Sequence, residues 1–215
     1  MPRLIHRMST PNMSPWARLR ADVDMVVVHY TGALQASGTL SWFNDPKSQV
    51  SAHYVVNRQG DYWPFETIER TLWHAGDSTW MGKRYCNRRS VGVELAATRD
   101  SGFTDAQYDT LLFILSDVMM LCPIRYIVGH EHIAPGRKID PGPLFEWDRL
   151  VPATQRHLDV EWLGGEKLRK VLITSHVDLG KPKVTPTPVS QTEDPRMEPG
   201  KDPWWHRLVE PFRRG

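Results

Sequence analysis

The stretch from Gly129 to Pro143 crowds His130, Glu131, His132, Arg137, Lys138 and Asp140 between Pro135, Pro141 and Pro143. Proline fixes its own backbone angle, so a polar loop punctuated this way can hold charged groups still. A third histidine, His29, closes the apolar run Met25-Val26-Val27-Val28 far upstream. Two imidazoles and one carboxylate are enough to bind a catalytic zinc ion and leave a fourth position open. Lone histidines are more often structural or surface residues, so spacing alone leaves both readings open.

Such a site needs rigid elements behind it. Met25–His29 is a short β-branched run bounded by Asp24 and by Thr31-Gly32, and reads as a buried strand. His53–Asn57 and Tyr62–Phe65 flank the turn Arg58-Gln59-Gly60-Asp61 and read as a hairpin. Ser90–Leu95 is a fourth strand, in which Gly92 admits the close approach of a neighbour. Ile124–Val128 is a fifth and delivers His130 just past its end. The clearest helix runs from Thr104 to about Leu121, opened by the capping-box pair Thr104 and Gln107 and stopped by Pro123. Tyr108, Leu111, Leu112, Leu115, Val118 and Met119 form its apolar stripe. A second helix includes Trp42 and ends before Pro46, and a third is expected between Phe145 and Leu158. Val171-Leu172-Ile173 fits a late strand or a helix end. Strands alternating with helices of this length predict an α/β fold, a central mixed sheet flanked by helices. Ligand sites in such folds gather beyond the strand ends.

Composition narrows the function classes. The chain has 215 residues, 40% of them hydrophobic and 24% charged, and a net charge of +2, which carries no basic excess for nucleic acid. Apolar stretches such as Leu111–Leu115 fall far short of the roughly 20 residues of a membrane span. Cys86 and Cys122 are too few for a disulfide framework and read as free thiols or core fillers. No apolar region follows the basic residues of Met1–Arg7, so no secretory signal is expected and synthesis is read as cytoplasmic.

Five ordered segments carry a family resemblance: Val27-Val28-His29-Tyr30-Thr31, Ser51-Ala52-His53-Tyr54, Trp73-His74-Ala75-Gly76, Val91-Gly92-Val93-Glu94-Leu95, and Gly129-His130 through Arg137-Lys138-Ile139-Asp140-Pro141-Gly142. Together they resemble the zinc-dependent N-acetylmuramoyl-L-alanine amidases of the amidase-2 family, whose fold peptidoglycan recognition proteins share. The resemblance covers residues 20–160. It implies one zinc ion per chain held by His29, His130 and Asp140, with Glu94 as the catalytic carboxylate and Lys138 stabilising the oxyanion. The implied substrate is the amide between N-acetylmuramic acid and L-alanine, in peptidoglycan or in a muropeptide. Tyr30 after the first histidine resembles envelope and phage members more than the cytosolic recycling enzyme. This favours a lytic, endolysin-type enzyme acting at the wall with a holin-type partner; the alternatives are a recycling amidase that stays in the cytoplasm and a non-catalytic peptidoglycan-binding module. Ala52 stands where some phage members have Tyr, which makes the Glu94 version of the site the better match.

Other polar residues have plainer readings. Tyr30, Arg58 and His74 are candidates to meet the substrate, although a hairpin arginine is usually solvated and His74 is as readily structural. His53 reads as a packed strand residue and His132 as a loop residue. The expected organisation is an N-terminal arm over 1–19, the catalytic domain over 20–160, an extension over 161–180, and a proline-rich flexible tail over 181–215. At the end of the tail, Trp204-Trp205 beside Arg207, Arg213 and Arg214 suits a weak contact with the cell envelope, or an extension without a role.

Overall fold

A computed structural model of the chain describes residues 2–150 and the short strand Leu172–Ile173. In chain order the strands are β1 (Met13–Ala17), β2 (Met25–Tyr30), β3 (Tyr54–Val56), β4 (Tyr62–Pro64), β5 (Arg70–Leu72), β6 (Thr79–Trp80), β7 (Lys83–Arg84), β8 (Ser90–Leu95), β9 (Tyr126–Gly129) and β10 (Leu172–Ile173). The helices are α1 (Ala36–Asn44), α2 (Asp105–Leu121) and the single turn α3 (His130–Ile133). Six strands form the central sheet in the order β10-β9-β2-β8-β3-β4. All its neighbours run parallel except the β3–β4 hairpin, so the sheet is mixed, as the alternation of strands and helices predicts.

The period of two along each strand sorts its residues between two cores. In β2, Val26 and Val28 join Val91, Val93 and Leu95 of β8 beneath Tyr108, Leu111, Ile114, Leu115 and Val118 of α2. On the other face Met25 and Val27 meet Ala75, Cys86, Val128 and Ile133. Strand β2 is thus buried on both sides, which is why it reads as an unbroken apolar run. Each fully buried aliphatic side chain contributes roughly 1.5–3 kcal/mol. The same alternation puts His29 in line with Met25 and Val27, and puts Ser90, Gly92 and Glu94 on that face of β8.

The capping box at α2 is present. Gln107 N–H donates to Thr104 Oγ1 at 3.2 Å, and Thr104 N–H donates back to Gln107 Oε1 at 3.0 Å. The helix expected from Phe145 appears within the described residues as a 3-10 turn over Trp147–Leu150, buried beside α2, and its remainder lies outside them. Val171-Leu172-Ile173 resolves in favour of a strand, with Leu172 and Ile173 paired to Tyr126 and Ile127. Residues before β2 lie along the hairpin side: β1 pairs antiparallel with β5, and Leu4 and Met8 bridge to Tyr62 and Phe65. Cys86 and Cys122 are both buried free thiols. No helix among the described residues is long and apolar enough to cross a membrane. The tail over 181–215, with its Trp204-Trp205 end, lies outside the described residues, as does most of 161–180.

Candidate metal centre

Strand register builds the site. His29 is the partner of Glu94 across β2–β8, and Val28 is the partner of Gly129 across β2–β9. His130, one residue beyond Gly129, therefore stands level with His29. The loop after α3 brings the acid. Its return is pinned by Glu131 N–H donating to the Asp140 carbonyl at 2.9 Å. It passes so close to β9 that a Cβ on Gly129 would lie 2.6 Å from Pro141 Cδ, so only glycine fits there.

Three atoms converge. His29 Nδ1 lies 2.9 Å from Asp140 Oδ2, His130 Nδ1 lies 3.2 Å from the same oxygen, and the two Nδ1 atoms are 3.0 Å apart. All three residues are buried, and among the described residues they are the group of side chains able to hold a metal ion. The outer nitrogen of each ring reveals its tautomer. His130 Nε2 sits 3.0 Å from the Ala75 carbonyl, which only accepts, so Nε2 carries the proton and Nδ1 is bare. Burial lowers His130 to about 4, so the ring is neutral at physiological pH. His29 Nε2 faces His74 Nδ1 at 3.1 Å, so this nitrogen too has its partner outside the cluster. Burial works to raise the Asp140 carboxyl, but the close approach of the His130 and His29 rings outweighs burial and keeps it well below the usual carboxylate range. Two bare imidazole nitrogens aimed at one buried carboxylate are lone-pair donors without an electron-poor partner, which a cation supplies. Ligands about 2.0–2.2 Å from a tetrahedral ion stand roughly 3.3–3.6 Å apart, so the three atoms would need to part slightly, by about half an ångström or less on average, to admit one. The residues present fit a zinc-sized cation.

The other predicted residues fall into two groups. Glu94 faces the cluster; its Oε2 is buried and has no hydrogen-bond partner among the described residues. Burial raises its pKa, while the charge of His29 pulls the other way. Burial lowers the Lys138 amine, and the charges of Asp140 and Glu94 act to restore it. Tyr30 is half-buried at the end of β2; burial and the Asp140 charge raise its phenol. Arg58 lies instead at the hairpin turn, where its guanidinium donates to the Gly102 carbonyl at 3.1 Å. His74 is buried behind His29, with its second nitrogen 3.1 Å from Ser90 Oγ. His53 is fully enclosed, accepting from Gly92 N–H at 3.1 Å, and His132 accepts from Gly129 N–H at 2.8 Å. Sequence reasoning missed the parts played by Ser90, Asn87 and the Ala75 carbonyl. Asn87 Oδ1 accepts from the backbone N–H groups of both His74 and Ala75, at 3.0 and 2.7 Å. A polar residue opening a buried strand, and a Cys-Asn pair ahead of it, were the available signals.

A mixed-sheet α/β fold with two histidines and an aspartate gathered at its strand ends, beside a carboxylate with one unpartnered buried oxygen, is an arrangement able to hold a metal ion next to an acid. The chain belongs to the N-acetylmuramoyl-L-alanine amidase family Amidase_2, which matches residues 19–143. It is 34% identical over 123 residues to the 1,6-anhydro-N-acetylmuramyl-L-alanine amidase AmpD of Citrobacter freundii, covering 56% of this chain and 66% of that one, just under two thirds of the relative's length. Among solved structures, the Escherichia coli amidase AmiD in complex with the substrate anhydro-N-acetylmuramic acid-L-Ala-D-gamma-Glu-L-Lys superposes with a TM-score of 0.57 at 30% identity, over 65% of this chain and 60% of that one. A mutant Bacillus subtilis endolysin superposes at 0.53 over 71% of this chain and 99% of that one; at 21% identity this shows a common fold.

Proposed function

We propose that the chain is a zinc-dependent amidase that hydrolyses the bond between the lactyl group of N-acetylmuramic acid and L-alanine. The observation that carries this is the convergence of His29 Nδ1, His130 Nδ1 and Asp140 Oδ2 beside the unpartnered Glu94 Oε2. His29, His130 and Asp140 would hold the zinc. A zinc ion held by these three residues would supply a Lewis acid for the amide carbonyl and would make water acidic enough, with a pKa of about 7, to attack at neutral pH. Glu94 accepts the proton that the attacking water gives up. It then hands that proton to the departing alanine nitrogen, which leaves as an amine, while the lactyl carbon keeps the water oxygen in a carboxyl group whose remaining proton is lost to solvent. A raised pKa suits both halves of this exchange, because the acid must release as readily as it accepts. Lys138 places a positive charge where the carbonyl oxygen becomes negative, a type of contribution worth about 2.7–4 kcal/mol for comparable donors. Tyr30, at the rim, meets the substrate.

The relatives sharpen the substrate. Those above 30% identity are named AmpD and AmiD, and the AmpD name specifies a 1,6-anhydro muramyl group. The endolysins at 21% and 15% identity share the fold alone. A soluble anhydromuropeptide is therefore favoured over the intact wall. The relatives thus support the recycling alternative better than the lytic reading drawn from Tyr30, and they offer no support for a holin-type partner. Side-by-side digestion of anhydromuropeptide and purified sacculi, read by mass spectrometry, decides this. Faster release of stem peptide from the soluble substrate is expected; turnover confined to sacculi would restore the lytic reading.

A further inference from the structure

We propose that His74 is a positioning residue that fixes the tautomer of His29 and so aims a bare nitrogen at the metal position. This rests on the metal-site reading above and concerns a residue outside the ligand set. The polarity follows from a chain of four groups. The Ser90 hydroxyl lies 2.6 Å from the Cys86 carbonyl, which can only accept, so the hydroxyl proton points there. Ser90 Oγ must then accept from His74 Nε2, 3.1 Å away, so that nitrogen carries the proton. A neutral imidazole has one N–H, which leaves His74 Nδ1 as an acceptor. His29 Nε2, 3.1 Å from it, is the donor, and His29 Nδ1 is left with its lone pair facing His130 and Asp140. The direction of every bond is set at the far end by a backbone carbonyl.

The sheet is built to admit this relay. Gly92 lies under the His74 ring, and a Cβ there would sit 2.5 Å from His74 Cγ and 2.7 Å from its Nδ1. Asn87 Oδ1 holds the His74 backbone from the opposite side at 3.0 Å. The rings of His29 and His74 meet edge to face, with centroids 5.2 Å apart, so the contact is directional rather than stacked. His130 reaches the same end by a simpler route, donating directly to the Ala75 carbonyl at 3.0 Å. Adjacent residues, His74 and Ala75, thus support the two histidines. Partners of this kind, once removed, typically cost 10–100-fold in metal affinity.

Two measurements test the proposal. Long-range proton–nitrogen spectra of the metal-free protein, labelled with nitrogen-15 histidine, should show His29 protonated at Nε2 and bare at Nδ1. A His29 ring protonated at Nδ1 would overturn the proposal, whether or not the protein binds zinc. Zinc affinity by chelator competition is the second readout. His74→Leu, which cannot accept a proton, should bind zinc 10–100-fold more weakly. His74→Asn, whose Oδ1 can occupy the acceptor position, should recover most of that loss. If His74→Leu does not fold, Ser90→Ala takes its place: without the hydroxyl the polarity of His74 is released, and His29 should appear as a mixture of tautomers. Folded His74→Leu with unchanged zinc affinity, or Asn no better than Leu, refutes the positioning role. A wild-type protein that binds no zinc yet shows the expected His29 tautomer would refute the metal reading and leave this one standing.

Discussion

His29 divides the centre into a front and a rear, and the two are made differently. The front holds His130, Asp140, Glu94 and Lys138, delivered by the ends of regular strands and by a loop stiffened with proline. The rear holds His74 and the Cys86 and Ala75 carbonyls, drawn from the irregular run between β5 and β8, and Ser90, the first residue of β8. The front is rich in charge and has a bare carboxylate oxygen; the rear is neutral, and its polar atoms are matched donor to acceptor. On the proposed mechanism the front groups would exchange protons and meet the changing charge of the reaction. Rear groups only orient lone pairs. Substitutions at the front should abolish function, and substitutions at the rear should attenuate it.

The sharpest break is expected at the front. Asp140→Ala removes the one anionic member of the ligand set, and zinc content and hydrolysis should disappear together on elemental analysis and peptide release. Zinc retained at one ion per chain in that variant would mean the ligand set is misassigned. Glu94→Gln should separate the two properties, keeping zinc while the rate falls roughly 10²–10⁴-fold, as loss of a general base does. A turnover near wild type would make Glu94 a structural carboxylate.

Behind the ligands the effects become graded. Gly92→Ala forces a methyl into the His74 ring, so we expect about 10–100-fold weaker zinc binding and a stability loss of about 1–3 kcal/mol. Chelator competition and thermal unfolding measure the two; unchanged zinc affinity would detach the rear from the front. The mildest effect comes from pH. Burial holds His53 well below its ordinary value and His130 at about 4, so the folded, metal-free protein binds fewer protons than the unfolded chain across the interval below about 6.5. Their neutral burial therefore supports stability above that pH, and the support is lost as pH falls through the interval. The unfolding midpoint should decline progressively below pH 6.5, and a flat profile down to pH 4 would contradict it.

The front was legible in the sequence because its signals are local. An apolar run ending in His29, a strand ending at Gly129-His130 and a Lys-x-Asp-Pro-Gly segment each announce themselves within a few residues. The long helix was equally plain, since Thr104, Gln107 and Pro123 mark its ends. The rear was not legible. His74 becomes a partner of His29 only because β8 carries Gly92 at the register where the ring must pass, and that is a fact of pairing between strands distant in sequence. The N-terminal residues hid for a similar reason. β1 finds its partner β5 more than fifty residues away, and the half-buried Arg18 donates to the carbonyls of Ile68, Asn87 and Ser90. No periodicity reveals such bonds. Of the helix expected between Phe145 and Leu158, the described part is a 3-10 turn over Trp147–Leu150, where Phe145, Trp147 and Leu150 are drawn into the core beside α2.

The central claim, metal-dependent addition of water across the muramoyl–alanine amide, is tested most directly in oxygen-18 water. Zinc-loaded protein is given anhydro-N-acetylmuramoyl peptide, and the products are weighed by mass spectrometry before and after chelation. The account predicts one heavy oxygen in the lactyl carboxylate, an intact peptide beginning with L-alanine, loss of both products on chelation and their return with zinc. Heavy oxygen in the peptide fragment from a cut elsewhere in the stem, or cleavage that survives complete removal of the metal, would contradict it.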